Sequence, residues 1–131
     1  MFMLLTQINA GLLVLIWLVQ IIIYPGMHGW DHSRFESLHR AYCRRIALIV
    51  GPLMPAQAVL AFYQLAVVGD FVTLTQVMLI CLVAGVTVFI SMPLHRRLSG
   101  GYDAEAVNRL IRTNWLRTAG WSLVWLLDWL G

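Results

Sequence analysis

Lysine is absent from this 131-residue chain, and charge of either sign is scarce. Charged residues make up 11% of the chain, whereas soluble domains carry about 25%. Hydrophobic residues make up 60%, and the mean hydropathy is +0.78. A soluble chain this short could not bury so much apolar surface, because small domains leave a large share of their surface exposed. The composition therefore predicts a single lipid-embedded domain over residues 1–131.

Several functional signatures are also missing. The sequence contains no glycine-rich phosphate loop, no Cys-x-x-Cys pair and no serine-nucleophile elbow, so the matching enzyme classes lack support. The two cysteines, Cys43 and Cys81, are expected at depths that differ by roughly half a bilayer, which argues against a disulfide. No basic residue precedes Arg34, so the positive segment of a cleaved signal is missing and the first apolar run is expected to be a permanent helix.

Four apolar stretches dominate what is present. Each approaches the ~20 residues needed to cross a ~30 Å hydrocarbon core, and backbone groups in lipid must be satisfied within the segment, as in a helix. The fourth is the least apolar, since Arg112, Asn114 and Arg117 occupy its first turns and must extend toward the headgroups. The sequence predicts an all-α membrane protein, an antiparallel bundle of four transmembrane helices at about 4–24, 46–68, 71–94 and 110–130.

The nine basic residues are all arginine and fall into two groups, at 34–45 and 96–117. These groups follow the first and third apolar stretches, whereas the Gly69-Asp70 link after the second has no basic residue. The positive-inside rule then places both basic connections in the cytoplasm and both termini outside. We therefore expect a multi-pass protein of the bacterial inner membrane, with the bilayer as its partner. Topology and lipid headgroups explain the basic charge, so no nucleic-acid partner is expected.

The connections also carry helix-start signals. Ser33 and Glu36 match a capping box, which predicts a helix that begins near Ser33 and continues into the second span. Asp103 is the expected N-cap of the last helix, at about 104–130. The two halves thus share one plan, in which a span, a proline, a charged connection and a capped helix follow in order. A parallel two-hairpin repeat would account for this plan.

A polar stripe precedes the second span. Glu36, His39 and Cys43 follow i, i+3, i+7 spacing and share one helix face. His95 ends the neighbouring third helix and is expected at the depth of His39. Histidine and carboxylate side chains are common metal ligands in helical bundles, so Glu36, His39 and His95 form a predicted metal or haem site. Alternatively, Glu36 completes a cap and all four histidines (His28, His32, His39 and His95) place polar tips at the headgroup boundary.

The last helix has a polar face of its own. Asn114, Arg117 and Thr118 lie at i, i+3, i+4, and a guanidinium that enters an apolar bundle is costly unless it is paired. Glu36 is the predicted partner of Arg117. Asn114 and Arg117 would then extend the histidine site toward an anion, a headgroup or a lipophilic ligand. Alternatively, the ion pair locks the last helix to the second.

Several short motifs carry a family likeness. They are Tyr24-Pro25, Phe35-x-x-x-His39, Gly51-Pro52-Leu53-Met54, Pro93-x-His95-x-x-Leu98, Gly101-x-Asp103 and Asn114-Trp115-x-Arg117-Thr118. Together they resemble a group of small, uncharacterised bacterial four-helix membrane proteins over most of the chain, which implies no activity. The layout is also similar to membrane proteins related to anthrone oxygenases. No catalytic motif of that group matches, so no functional residue is transferred.

Two hypotheses of function follow from these patterns. The first is a cytoplasmic-side site of Glu36, His39, His95, Asn114 and Arg117 that binds a metal, a haem or a lipophilic ligand, with redox chemistry on a membrane-soluble substrate as the expected reaction. The second is a non-catalytic accessory subunit that packs in a larger membrane complex or in a homo-oligomer. The patterns leave open whether the protein is an enzyme.

Overall fold

The computed structural model describes residues 2–131, and this part of the chain is helical, with no strand. Its four helices are α1 (Phe2–Gly29), α2 (His32–Val68), α3 (Phe71–Leu98) and α4 (Ala104–Leu127). The first three contain 28, 37 and 28 residues, with mean hydropathies of 2.1, 1.8 and 2.5, so each is long and apolar enough to cross a membrane. The expectation of an all-α protein is confirmed, with three helices that could span a membrane. The less apolar α4 has 24 residues.

Helix α2 does not begin with the predicted capping box. It starts with a 3-10 turn, and the carboxylate of Asp31 accepts a hydrogen bond from the Ser33 amide at 3.0 Å. Asp31 is therefore the cap, and Glu36 instead forms an exposed ion pair with Arg40. The capping box was a wrong prediction, because the Ser33 hydroxyl donates to the charged Asp31 carboxylate at 2.7 Å instead of capping the helix.

Aspartates also cap the next two helices. The Asp70 carboxylate accepts from the Thr73 amide at 2.8 Å at the start of α3, directly after Gly69 ends α2 with a φ of +67°. Asp103 accepts from the amides of Glu105 and Ala106, as the sequence predicted. These backbone amides and the nearby Arg97 hold the pKa of the Asp103 carboxyl below its usual range.

The end of α4 shows how the helices are arranged. The Asp128 carboxylate accepts from Asn9 of α1 at 3.0 Å and from Gln76 of α3 at 2.7 Å. The last turn of α4 therefore lies beside the first turns of α1 and α3, so α4 runs the length of the bundle antiparallel to both. Helices α1 and α3 each contact α2 and α4, which places α2 and α4 at opposite corners.

Helices α1 and α3 share a local irregularity. Each contains a π-helical segment, at Val19–Ile23 and Thr87–Ser91, and a proline follows two residues after each segment. The shared placement agrees with the plan that the sequence repeats in its two halves. Single π turns inside α-helices recur at functional sites, because the extra residue redirects side chains.

Helix α2 buries side chains fully in two places. Its buried residues are Phe35 and His39 near its start, and Gln57 and Ala61 in its second half. No residue from 40 to 56 is fully buried, although this stretch covers roughly 25 Å of helix. Tyr42, Leu53 and Met54 still pack against the core, and the residues between them border an open space between the helices.

Helices α3 and α4 approach each other closely at Gly120. A Cβ atom at this position would lie 2.5 Å from Cγ2 of Val83. We expect Gly120→Ala to lower the free energy of unfolding by about 1–3 kcal/mol through overpacking, measured by unfolding in detergent micelles. Gly85→Ala is the matched control, because a Cβ there meets open space. Equal stability of the two variants would contradict the close contact.

Candidate functional site

His39, Cys43 and His95 converge where α2 meets the end of α3, and we call these three residues the His–Cys triad. Nε2 of His39 lies 2.9 Å from Nδ1 of His95. Sγ of Cys43 lies 3.6 Å from His39 Nε2 and 3.9 Å from His95 Nδ1. His39 is fully buried, and the other two are partly buried. Three ligand atoms that suit a transition metal therefore face one point.

Hydroxyl groups fix both imidazole rings of the triad. The Tyr24 hydroxyl lies 2.9 Å from His95 Nε2, and the Ser99 hydroxyl lies 3.5 Å from His39 Nδ1. Ser99 in turn donates to the carbonyl of His95 at 3.0 Å. The ring nitrogens outside the convergence point thus have partners of their own. This is the arrangement in which outer partners orient metal-binding histidines.

The distances within the triad fit a tetrahedral ion. With metal–nitrogen bonds of about 2.0–2.1 Å and a metal–sulfur bond of about 2.3 Å, neighbouring ligand atoms stand roughly 3.3 Å (N to N) and 3.6 Å (N to S) apart. The two sulfur–nitrogen distances are close to this value. The 2.9 Å nitrogen–nitrogen distance must widen by a few tenths of an ångström, which a small rotation of either ring provides.

The same geometry does not suit a haem held between the two histidines. Axial ligands approach haem iron from opposite faces, with the flat macrocycle between them. His39 and His95 are instead hydrogen-bonded to each other, and their stacked ring centroids are 5.2 Å apart. A bis-histidine haem would require the two helix ends to separate.

A cavity of about 580 Å³ adjoins the triad. Cys43 and His95 line it, together with Tyr24, Ser91 and Arg117. The remaining walls are mostly apolar and come from α1, the middle of α2 and the π-helical part of α3. Small-molecule sites in proteins have this size and character, an apolar chamber with a few polar groups at one end. The cavity occupies the space that the middle of α2 leaves open.

Arg117 is held at the polar end of this cavity by a chain of amides. Its Nη1 donates to the Asn114 side chain at 3.2 Å, and Asn114 donates to Oε1 of Gln20 at 3.0 Å. Thr118 donates to the same oxygen, and Gln20 donates to the Ile111 carbonyl. The Arg117 guanidinium also lies over the Trp121 ring, 5.3 Å from its centroid. Arg117 thus lines the same cavity as His95, and Asn114 contacts Arg117 from within α4.

Two buried polar atoms at this cavity have no hydrogen-bond partner within residues 2–131. They are Nε of Arg117 and Oγ of Ser91. Arg117 is 7% exposed and Ser91 is 2% exposed. Buried polar groups in native proteins are almost always hydrogen-bonded, so each exception requires an explanation. Both exceptions line the same cavity.

Glu36 does not join the site. Its carboxylate lies 2.9 Å from Arg40, with more than half of each side chain exposed to solvent. The predicted ion pair between Glu36 and Arg117 is therefore not formed, and Cys43 rather than Glu36 lies with the two histidines. Glu36 and Cys43 share a helix face but lie about 10 Å apart along the axis. Cys43, one turn after His39, reaches His95, whereas Glu36, one turn before His39, pairs with Arg40.

The other two histidines belong to a separate contact. His28 bonds the hydroxyl of Tyr102 at 2.8 Å and Asn108 at 2.9 Å. The ring of His32 stacks on Tyr102 with centroids 3.9 Å apart. These contacts join the two connections at this end of the bundle. His28 and His32 thus take part in contacts between the connections, whereas His39 and His95 lie in the triad.

Sequence reasoning missed three polar groups of the site, namely Tyr24, Ser91 and Ser99. Tyr24 contributes to a family likeness in the sequence and was not predicted as a site residue. Ser91 lies at the end of a π-helical segment, whose inserted residue shifts the helical register that spacing arguments assume. Helical spacing did group Cys43 with His39, which was the available signal for the third ligand.

Comparisons with known protein families, with curated proteins and with solved structures give no match to this chain. The site's own geometry is therefore the basis for a functional conclusion.

The amide chain that holds Arg117 has a direct test. We expect Gln20→Leu to lower the free energy of unfolding by about 1–2 kcal/mol, because Asn114 and Thr118 lose their shared acceptor. Unfolding in mixed micelles measures the loss. Gln7→Leu on the same helix is the control, since Gln7 is exposed. A Gln20 variant as stable as the Gln7 variant would contradict the role of this chain.

Proposed function

We propose that this protein is a four-span inner-membrane protein that binds one transition-metal ion through His39, Cys43 and His95 on the cytoplasmic side. The convergence of these three ligand atoms carries the proposal. Three protein ligands leave one tetrahedral position open, which is the hallmark of a reactive zinc-type site. Cys43 and His95 line the adjoining cavity, so that position faces a space where another molecule can bind.

The mixed ligand set indicates the class of metal. Thiolate and imidazole ligands favour zinc, copper or iron over magnesium or calcium, which prefer oxygen. The Tyr24 and Ser99 hydroxyls supply outer partners for the two rings. No carboxylate is needed as a ligand, so the exposed Glu36 is outside the proposed site.

Four spans and the orientation belong to the same proposal. The contact of Asp128 with Asn9 and Gln76 supports a fourth span, because the end of α4 lies level with the starts of α1 and α3. The arginine-rich connections support a cytoplasmic location for the triad. The apolar outer faces of the helices would then contact lipid.

Metal content tests the triad. Protein purified in detergent is expected to hold about one ion per chain, and His39→Ala, His95→Ala and Cys43→Ser are each expected to reduce this at least tenfold. Loaded with Co²⁺, the parent protein should show a thiolate-to-cobalt absorption band, because Cys43 is a direct ligand.

Matched controls exist for each ligand type. Cys81 is the chain's other cysteine and is exposed. His32 stacks on Tyr102, outside the triad. Cys81→Ser and His32→Ala should keep both the ion and the cobalt band. A metal-free parent that also fails to bind added Co²⁺, Zn²⁺, Cu⁺ or Fe²⁺ would overturn the proposal. A single stoichiometric protein partner from the same metal-free preparation would favour the accessory-subunit alternative.

Labelling of single cysteines tests the topology. In a Cys43→Ser/Cys81→Ser background, we expect Phe71→Cys and Trp129→Cys to react with a membrane-impermeant maleimide in intact cells, because both positions are exposed and lie at the outer end. Arg40→Cys should react only after permeabilisation. Labelling of Phe71→Cys and Trp129→Cys from opposite sides would remove α4 as a span.

A further inference from the structure

The cavity beside the triad contains a buried positive charge without a countercharge. The six acidic residues of the chain are all engaged away from Arg117. Glu36, Asp103 and Glu105 form ion pairs with other arginines. Asp31 and Asp70 act only as helix caps. Asp128 accepts from Asn9 and Gln76. A charge within an apolar bundle is costly without a partner. No acidic side chain of the described residues neutralises it, so an anion from another molecule would fill this role.

The hydrogen bonds of Arg117 indicate the shape of that anion. Asn114 already accepts from Nη1, whereas Nε lies buried with no acceptor among the described residues. The Nε–Nη2 edge of a guanidinium pairs side-on with the two oxygens of a carboxylate. The Ser91 hydroxyl, also without a partner in this part of the chain, offers a further donor at the same cavity.

The rest of the cavity indicates what the carboxylate is attached to. The walls are apolar and can contact an unbranched hydrocarbon chain. They are formed by Leu15, Ile16, Val19, Ile46, Val50 and Met92. The walls belong to α1, α2 and α3, and the middle of α2 is not fully buried. In a membrane this gap adjoins the acyl chains of the bilayer, so a lipophile enters sideways without crossing water.

We infer that this cavity binds a long-chain carboxylate of the fatty-acid type, with its carboxylate on Arg117 and its chain between α1, α2 and α3. The inference goes beyond metal binding, because it depends on Arg117 and the cavity walls rather than on the triad. With a metal bound, the open coordination position would face the same molecule near its polar end. Ligand binding and metal binding are therefore tested separately.

Equilibrium binding to metal-free protein tests the inference. Radiolabelled palmitate is expected to bind the chelator-treated protein in maltoside micelles at about one molecule per chain. Hexadecanol, which has the same chain length and no charge, should bind at least tenfold more weakly, because a charge-assisted hydrogen bond is lost. Equal affinity for the two probes would overturn the inference.

Two arginine variants locate the carboxylate. Arg117→Gln should weaken palmitate at least tenfold and leave hexadecanol unchanged, whereas Arg112→Gln, an exposed position on the same helix, should change neither. Arg96 also lines the cavity, but it is exposed. If Arg96→Gln removed palmitate binding and Arg117→Gln did not, the carboxylate would not lie on Arg117 and the inference would fail.

A cavity-filling variant covers the case in which Arg117→Gln does not fold. Ala47 lines the cavity without being buried, so Ala47→Trp should abolish the binding of both probes while the bundle remains folded. Leu48→Trp is the control, because Leu48 is 78% exposed and does not line the cavity. Retained palmitate binding in Ala47→Trp would overturn the inference. Tighter binding of phosphatidic acid than of palmitate would assign the site to a phospholipid and likewise overturn it.

Discussion

Polar groups that lie among apolar helices must find hydrogen-bond partners inside the bundle, because a hydrocarbon surrounding offers none. Most of this protein's interior follows from that constraint. Near one end, Gln57 donates to Asn9 and accepts from Trp121, and Asn9 donates to Asp128. These few contacts tie α1, α2 and α4 together, and Gln76 adds α3. Each helix thus contributes a polar side chain that only its neighbours can satisfy.

The opposite half of the bundle satisfies the same constraint incompletely. Asn114 and Thr118 both donate to Gln20, and the Tyr24 hydroxyl is hydrogen-bonded to His95. Arg117, however, retains an unpartnered Nε beside a cavity. The buried amide side chains all have hydrogen-bond partners, whereas the buried guanidinium of Arg117 has one nitrogen without a partner among the described residues. This contrast between the two halves is the physical reason to place binding at the triad end.

The middle of α2 borders the same cavity as Arg117. Helix α2 is anchored by Phe35 and His39 at one end and by Gln57 and Ala61 further along. Residues of α2 between these two places line the cavity. The π-helical segments of α1 and α3 border the same gap, since Val19, Thr87 and Ser91 line it. The π-helical segments and the candidate site therefore lie at the same cavity.

The sequence alone determined the helical class, the three apolar helices and the grouping of His39 with His95, because apolar length and helical spacing are local properties of the chain. It also identified Arg117 and Asn114 as polar residues that need partners. Only the tertiary structure decided which partners they have. Glu36 pairs with Arg40 on the surface, Cys43 completes the triad, and the open edge of Arg117 borders the cavity. These outcomes depend on how far α2 stands from α3 and on the register after two π-helical segments, and neither is encoded in any single stretch of sequence.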